Sequence, residues 1–206
     1  MRMRGPATPI VLAWLVCFAG PIFAQSFPAG MARHAKGVLV VVRADGVESH
    51  LQGRGALQIF EGDTLRIDGE GQALIETEEG VQVALNRSTV VKVLTRWEKS
   101  KGTTRILRLQ RGEVWARSLK SQALLEIETP VGVLSANAAE VSVNLVSDNE
   151  AVATVVQGTA NLSTSTSSCP LRAGTMSRGS RGNACSAAAG AQVSSATAWS
   201  YPLLVP

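Results

Sequence analysis

The sequence predicts an all-β protein of stacked short strands, and three features of residues 36–164 support that class. Turns that contain glycine recur along the region, apolar and polar side chains alternate between them, and Val38–Val42 is a β-branched run. Residues 32–162 show no sustained helical period of apolar residues with capping residues, which disfavours an α+β fold. We therefore expect a β-roll, a solenoid-like stack or a sandwich.

The first half of this region divides into hairpins. Val38–Val42 is followed by the turn at 44–47, whose Asp-Gly step between strand formers is a strong hairpin signal. Val81, Val83 and Leu85 alternate with polar or small residues, as in a strand with one buried face. Further acidic-glycine turns are predicted at 61–63, 68–71 and 78–80.

The second half shows the same alternation. Leu125 and Ile127 alternate with Glu126 and Glu128, so we expect the apolar pair to face the core and the acids to face water. The period recurs at 107–110 and 141–145. A weak repeat is carried by Gly62, Gly112 and Gly158, which are 50 and 46 residues apart; this spacing favours stacked layers over one flat sheet.

The first 24 residues have the pattern of a signal peptide. Basic residues precede an uncharged run of 15 residues at 9–23, and cleavage is expected between Ala24 and Gln25. A transmembrane anchor is the alternative, but it needs roughly 20 apolar residues. A lipoprotein at Cys17 is disfavoured because Val16 stands where a small residue should precede a lipidated cysteine.

Export restricts the compartment and the partners. We expect a periplasmic or secreted protein in which residues 25–35 lead into one β domain at 36–164, followed by a loop and tail at 165–206. The signal peptide contains two arginines, so its removal lowers the formal net charge from +4 to +2. The remaining cations are scattered among acids, which argues against nucleic-acid binding. No later segment is apolar enough to form a stable membrane span.

Cys169 and Cys185 are the two cysteines that remain after cleavage, and they predict a disulfide in an oxidising compartment. Closing this short loop would add about 3 kcal/mol of stability by restricting the unfolded chain. Two free thiols are the alternative. The apolar residues at 198–206 are expected to pack on the same chain, or otherwise on a partner.

No catalytic or cofactor-binding motif follows the signal peptide. His34 and His50 lack zinc-ligand spacing, and neither a G-x-S-x-G elbow nor a phosphate-binding loop is present. Glu76, Glu78 and Glu79 cluster on a predicted hairpin, where a solvated turn is favoured over a catalytic pair of carboxylates. We therefore expect a non-enzymatic protein without cofactor or metal, and we disfavour a hydrolase of envelope polymers.

Residues 36–164 resemble a FecR domain in the order and spacing of their turns. The best single match is Thr129-Pro130-Val131-Gly132 after an alternating strand. The other matching segments are Gly37-Val38, Asp45-Gly46, Gly62-Asp63-Thr64-Leu65, Gly71-Gln72-Ala73, Gly80–Leu85, Asn86-Arg87-Ser88, Leu109–Val114 and Val155–Gly158. The sequence departs from the family at Asn137-Ala138-Ala139-Glu140, where the family usually has Gly-Thr.

The resemblance implies a periplasmic protein-binding domain, similar to regulators that relay occupancy of an outer-membrane receptor to a sigma factor. Those regulators carry a cytoplasmic anti-sigma segment and a membrane span, whereas here the signal peptide leads almost directly into the first strand. The expected partner is therefore another envelope protein, either a receptor or an inner-membrane regulator. Strand addition at an exposed sheet edge is the expected mode of binding.

Two surfaces are candidates for contact with a partner. One is a polar, aromatic loop that is otherwise a solvated hairpin tip. Its residues are Arg96, Trp97, Lys99 and Lys101. The other belongs to the alternative function, a structural or polysaccharide-binding protein of the envelope, and requires Trp97, Trp115 and Trp199 to share one open face.

Overall fold

The computed structural model describes residues 27–98, 102–118 and 124–204. Within these ranges, thirteen strands join in one sheet and two short helices follow them. The strands are β1 (Pro28–Val42), β2 (Glu48–Phe60), β3 (Thr64–Ile67), β4 (Gln72–Thr77), β5 (Val81–Leu85), β6 (Val90–Glu98), β7 (Gly102–Ser118), β8 (Leu124–Glu128), β9 (Gly132–Ser147), β10 (Glu150–Thr164), β11 (Ser168–Arg172), β12 (Thr175–Ser180) and β13 (Ala189–Gly190). The helices are α1 (Val193–Thr197) and α2 (Tyr201–Leu204). The predicted all-β class is confirmed.

Six strands close into a barrel through antiparallel pairs. Their order is β1-β3-β6-β7-β5-β4, and β4 pairs back onto β1. Val81, Val83 and Leu85 of β5 belong to the buried core, as their alternation predicts. A void of only about 10 Å³ remains among the apolar side chains of the interior. The barrel interior is therefore a packed core without room for a ligand.

β7 connects the barrel to the rest of the sheet. Its first half pairs with β6 and β8, and its second half pairs with β5 and β9. β9 continues the sheet to β10, which carries β11 and β12 on its other edge. Gly112 lies where β7 changes neighbours: its φ is +86°, and a Cβ there would lie 2.4 Å from Thr89 Oγ1. Glycine is therefore needed at this point both for backbone conformation and for space.

Two segments that the sequence placed outside the β domain contribute to the sheet. Residues 28–35, expected as a lead-in, form the first half of β1 and pair with β2 and β4. Residues 168–180, expected within the loop and tail, include β11 and β12. Gly30 lies within β1 at a point of close approach to β4. A Cβ at this position would lie 2.4 Å from the Glu76 carbonyl oxygen, so a residue without a side chain lets the two strands pair.

The C-terminal segment packs on the outer face of the barrel. Leu203 of α2 is 4% exposed and forms a small apolar cluster with Ala84 and Trp115, separate from the main core. Glu140 connects this cluster to the tail: its Oε1 accepts hydrogen bonds from the Trp115 indole N–H (3.0 Å) and from the Tyr201 hydroxyl (3.3 Å). The tail therefore docks on its own domain.

The helical content is confined to α1 and α2, of five and four residues. Across the ranges that the structure describes, no helix has the length and apolar character needed to cross a membrane.

Candidate partner-binding edge

The predicted contact loop is described only at its margins. Arg96 lies at the end of β6 and its guanidinium forms ion pairs with Glu126 (2.9 Å) and Glu128 (3.7 Å) of β8. The backbone of Trp97 continues β6 and pairs with Thr103. Lys99 and Lys101 lie outside the described residues. Arg96 thus holds strand β8 against the barrel, and its charge is already matched.

Glu126 and Glu128 differ from the expectation that they face water. Their side chains are only 14% and 19% exposed, because Arg96 covers both and Arg108 donates to Glu128 at 2.8 Å. The apolar partners Leu125 and Ile127 face the core as predicted. The alternation correctly predicted which face of β8 is apolar and which is acidic. It did not predict that arginines from neighbouring strands cover the acidic face.

Trp115 contradicts the open aromatic face required for the polysaccharide hypothesis. Its side chain is fully buried between the sheet and the C-terminal tail, and its N–H is bonded to Glu140. Trp199 is half-buried in the tail. Three tryptophans on one open face are therefore excluded, because Trp115 is covered.

Two of the three clustered acids have structural partners. Glu79 accepts two hydrogen bonds from Arg105, at 3.2 and 2.7 Å, and that guanidinium is almost fully buried. Glu76 pairs with Arg33 at 3.4 Å on the surface. In the described part of the chain, no group of three His, Cys, Asp or Glu residues is arranged to hold a metal ion.

Cys169 and Cys185 are joined by the predicted disulfide, with a Cα–Cα distance of 6.2 Å. The bond connects β11 to the segment between β12 and β13, and Cys185 is buried against the core. It therefore attaches the last part of the chain to the sheet. The expected cleavage site at Ala24 and Gln25 lies outside the described residues.

Of the strands that the structure describes, β2 is the longest one that has a single pairing partner. Among the described strands, β2 pairs only with β1, so its other side is an edge 13 residues long. Residues 48–52 pair with Val38–Val42 in unbroken register, whereas register shifts follow at Ala35/Val38 and Ala32/His34 of β1. Such irregularities protect an edge from unwanted pairing, which leaves 48–52 as its regular part.

The hairpin hydrogen bonds fix which amides of this run face outward. The Arg43 N–H donates to the Val47 carbonyl at 2.8 Å, and antiparallel residue pairs alternate between bonded and unbonded along an unbroken ladder. Ser49 and Leu51 therefore bond to β1, while the backbone N–H and C=O groups of Glu48, His50 and Gln52 point to the free edge. These three residues are also exposed.

An open hollow lies beside this edge. It has a volume of about 640 Å³, and its lining includes Val38, Val40 and His50, with Arg66 and Asp68 on its far side. Val38 is 36% exposed, and nearby Val47 is 58% exposed. The hollow can therefore receive side chains of a segment that pairs with β2. Sequence reasoning expected an exposed edge but identified none, because pairing partners are a property of the folded sheet.

Comparisons with known proteins agree with this architecture. Residues 63–161 match the sequence profile of the family described as FecR protein. Two crystal structures of a candidate anti-sigma factor from Parabacteroides distasonis superpose with TM-scores of 0.54 each, at 16% and 15% identity. Each superposition covers 66% of this chain and 63% of that one, so the chain spans less than two thirds of those relatives. No curated protein sequence matches.

The matched range extends from the turn before β3 almost to the end of β10. It includes the Thr129-Pro130-Val131-Gly132 step, whose Thr129 hydroxyl accepts hydrogen bonds from the backbone N–H groups of Val131 and Gly132. The sequence motifs and the profile match agree, and the predicted resemblance to a FecR domain is confirmed over residues 63–161.

Proposed function

We propose that this chain is a non-enzymatic, periplasmic protein-binding module that takes part in envelope signal relay, and that β2 is its docking edge. The observation that carries the proposal is the regular run 48–52, which presents unpaired backbone groups beside an open hollow. The family and the fold of its anti-sigma-factor relatives support a role in signal relay. The expected signal peptide supports the compartment.

Strand addition accounts for both affinity and selectivity at such an edge. The outward N–H and C=O groups of Glu48, His50 and Gln52 provide main-chain hydrogen bonds to an extended partner segment. Because side chains alternate along that segment, every second one would lie on the side of Val38 and His50. A partner strand with an aliphatic residue at that position complements the exposed valines.

The decisive test distinguishes the contribution of the β2 backbone to partner binding from the contribution of its side chains. His50→Pro removes the outward N–H at the centre of the run and leaves the β1–β2 ladder intact, since proline is tolerated at edge positions whose N–H faces solvent. His50→Ala removes the same side chain but keeps the N–H. A photo-crosslinking residue at Gln52 then reports which envelope protein is captured in the native host.

We expect His50→Ala to capture the same receptor or inner-membrane regulator as the original chain, and His50→Pro to capture it much less. Thermal unfolding of both variants establishes that each one is folded. Equal capture by the two variants would exclude strand addition at β2. Failure of all folded variants to capture an envelope protein would reject the relay function itself.

A further inference from the structure

A second groove lies on the outer face of the barrel, where the C-terminal tail meets β1 and β4. Its volume is about 410 Å³, and its lining consists of His34, Lys36, Gln72, Trp199, Pro202 and Leu203. We propose that this groove binds an acidic sugar residue, a pyranose ring that carries a carboxylate. Lys36 also lines the hollow beside β2, whereas the other five lining residues belong to this groove alone, and the site does not depend on the proposed protein partner.

The charge of the groove selects an anion. Lys36 and His34 supply the ionisable groups, and no carboxylate is among the lining residues. Lys36 is exposed, so its ammonium is accessible to a ligand. Its position is fixed by the sheet: Lys36 pairs with Gln72 across β1 and β4, and the following Gly37 adopts φ +81°. A carboxylate bound there would gain a charge-assisted hydrogen bond.

The tail supplies an apolar wall. The Trp199 indole N–H already donates to the Ala196 carbonyl at 3.2 Å, so the ring is held in place and its hydrogen-bonding capacity is used. What remains for a ligand is the apolar ring surface, extended by Pro202. The C–H face of a pyranose ring matches such a surface, whereas a small inorganic anion would leave it uncovered.

Gln72 supplies an oriented acceptor for a hydroxyl group. Its Nε2 donates to Asn86 Oδ1 at 3.2 Å, and Asn86 Nδ2 donates in turn to Glu113 Oε2 at 2.8 Å. This chain fixes the Gln72 amide and leaves its Oε1 available to accept. A cation, an apolar ring surface and a hydroxyl acceptor thus line one groove. They match the carboxylate, the C–H face and the hydroxyl groups of a uronate.

The test is titration of the protein with a hexamer of galacturonic acid, followed by calorimetry and by the Trp199 indole signal in NMR spectra. Neutral maltohexaose and polyglutamate are the comparison ligands. Lys36→Gln and Trp199→Ala are each expected to weaken binding about tenfold, the effect of losing one charge-assisted hydrogen bond or one well-packed ring contact. Lys92→Gln on β6 makes the same charge change away from the groove and is expected to bind normally.

Several results would overturn the proposal. These are the absence of galacturonate binding at millimolar concentration, equal binding of polyglutamate or of the neutral hexamer, and an equal loss of affinity in Lys92→Gln. Because Trp199→Ala can also loosen the tail, Lys36→Gln is the variant that decides: unchanged affinity there rejects the site. None of these results changes the comparison of His50→Pro with His50→Ala, so the two proposals fail independently.

Discussion

The guanidinium of Arg43 donates to the buried carboxylate of Asp63 at 2.5 Å, and this ion pair connects the β1–β2 turn to the β2–β3 turn. Asp63 also accepts the backbone N–H of Phe60 at 2.8 Å, while the guanidinium lies 5.0 Å from the centre of the Phe60 ring. Both ends of β2 are therefore held by one carboxylate, which positions the proposed docking edge.

Asp63→Asn is expected to destabilise the fold by about 3 kcal/mol. The amide can still accept the Phe60 N–H, but it leaves the largely buried Arg43 charge without its partner. Asp68→Asn is the matched control: its side chain is 61% exposed and pairs with Arg66 on the surface, so a loss below about 1 kcal/mol is expected. Urea unfolding followed by tryptophan fluorescence measures both. Similar losses of unfolding free energy in the two variants would show that burial of the Asp63 ion pair does not increase its contribution to stability.

Gly112→Ala is expected to lower the free energy of unfolding more than Gly46→Ala, although the two glycines have similar φ values of +86° and +88°. Positive φ alone costs an alanine about 1–2 kcal/mol. At Gly112 the new Cβ would also lie 2.4 Å from Thr89 Oγ1 and 2.7 Å from Thr89 Cα, while Gly46 has open space. The overpacking should add about 1–3 kcal/mol. Equal free energies of unfolding for the two variants would contradict a steric role for Gly112.

Much of the fold was predictable because glycine turns and two-residue alternation are local. The hairpin at Asp45-Gly46 and the buried face of β5 follow directly from neighbouring residues. The barrel closure through the β1–β4 and β5–β7 pairs was not predictable, because strands of similar sequence can pair in many orders. Gly30 and Gly53 both lie within continuous strands, where they allow close approach or a register shift.

The candidate sites depended even more on tertiary structure. The sequence indicated Arg96 as a partner contact, yet its charge is satisfied by two acids 30 and 32 positions further along the chain. It gave no signal that β2 would be an edge, or that Trp199 and Lys36 would line the same groove. The sequence shows which residue types are available for binding, but it does not show which of them lie next to one another in the folded protein.

Ala138→Gly is expected to leave stability unchanged or to raise it by up to about 1 kcal/mol. Ala138 adopts φ +47° in the register shift opposite Gly158, within the four-residue segment that departs from the family's usual Gly-Thr. Relief of about 1–2 kcal/mol of backbone strain is partly offset by about 0.5–1 kcal/mol of added chain entropy in the unfolded state. Chemical denaturation measures the difference. A clear destabilisation would mean that the Ala138 methyl group contributes packing that outweighs the strain.

Replacing Cys169 and Cys185 together by serine is expected to lower stability by about 3 kcal/mol, because the loop between them regains its freedom in the unfolded state. For a domain of this size, that corresponds to a fall in Tm of about 6–12 °C. Reductant should lower the Tm of the original chain by a similar amount and leave the double variant unaffected. Sensitivity of the double variant to reductant would contradict this origin of the effect.

Leu203→Asp is expected to release the C-terminal tail without unfolding the barrel. The side chain is 4% exposed against Ala84 and Trp115, so an aspartate there would bury an unpaired charge unless α2 moves away. Release would expose the Trp115 indole, shift its fluorescence to longer wavelength and abolish amide-exchange protection in residues 193–204. Tyr201→Phe is the matched control, because it removes only the 3.3 Å hydrogen bond to Glu140 and should keep the tail docked. Protection of 193–204 that persists in Leu203→Asp would refute the docked position of α2.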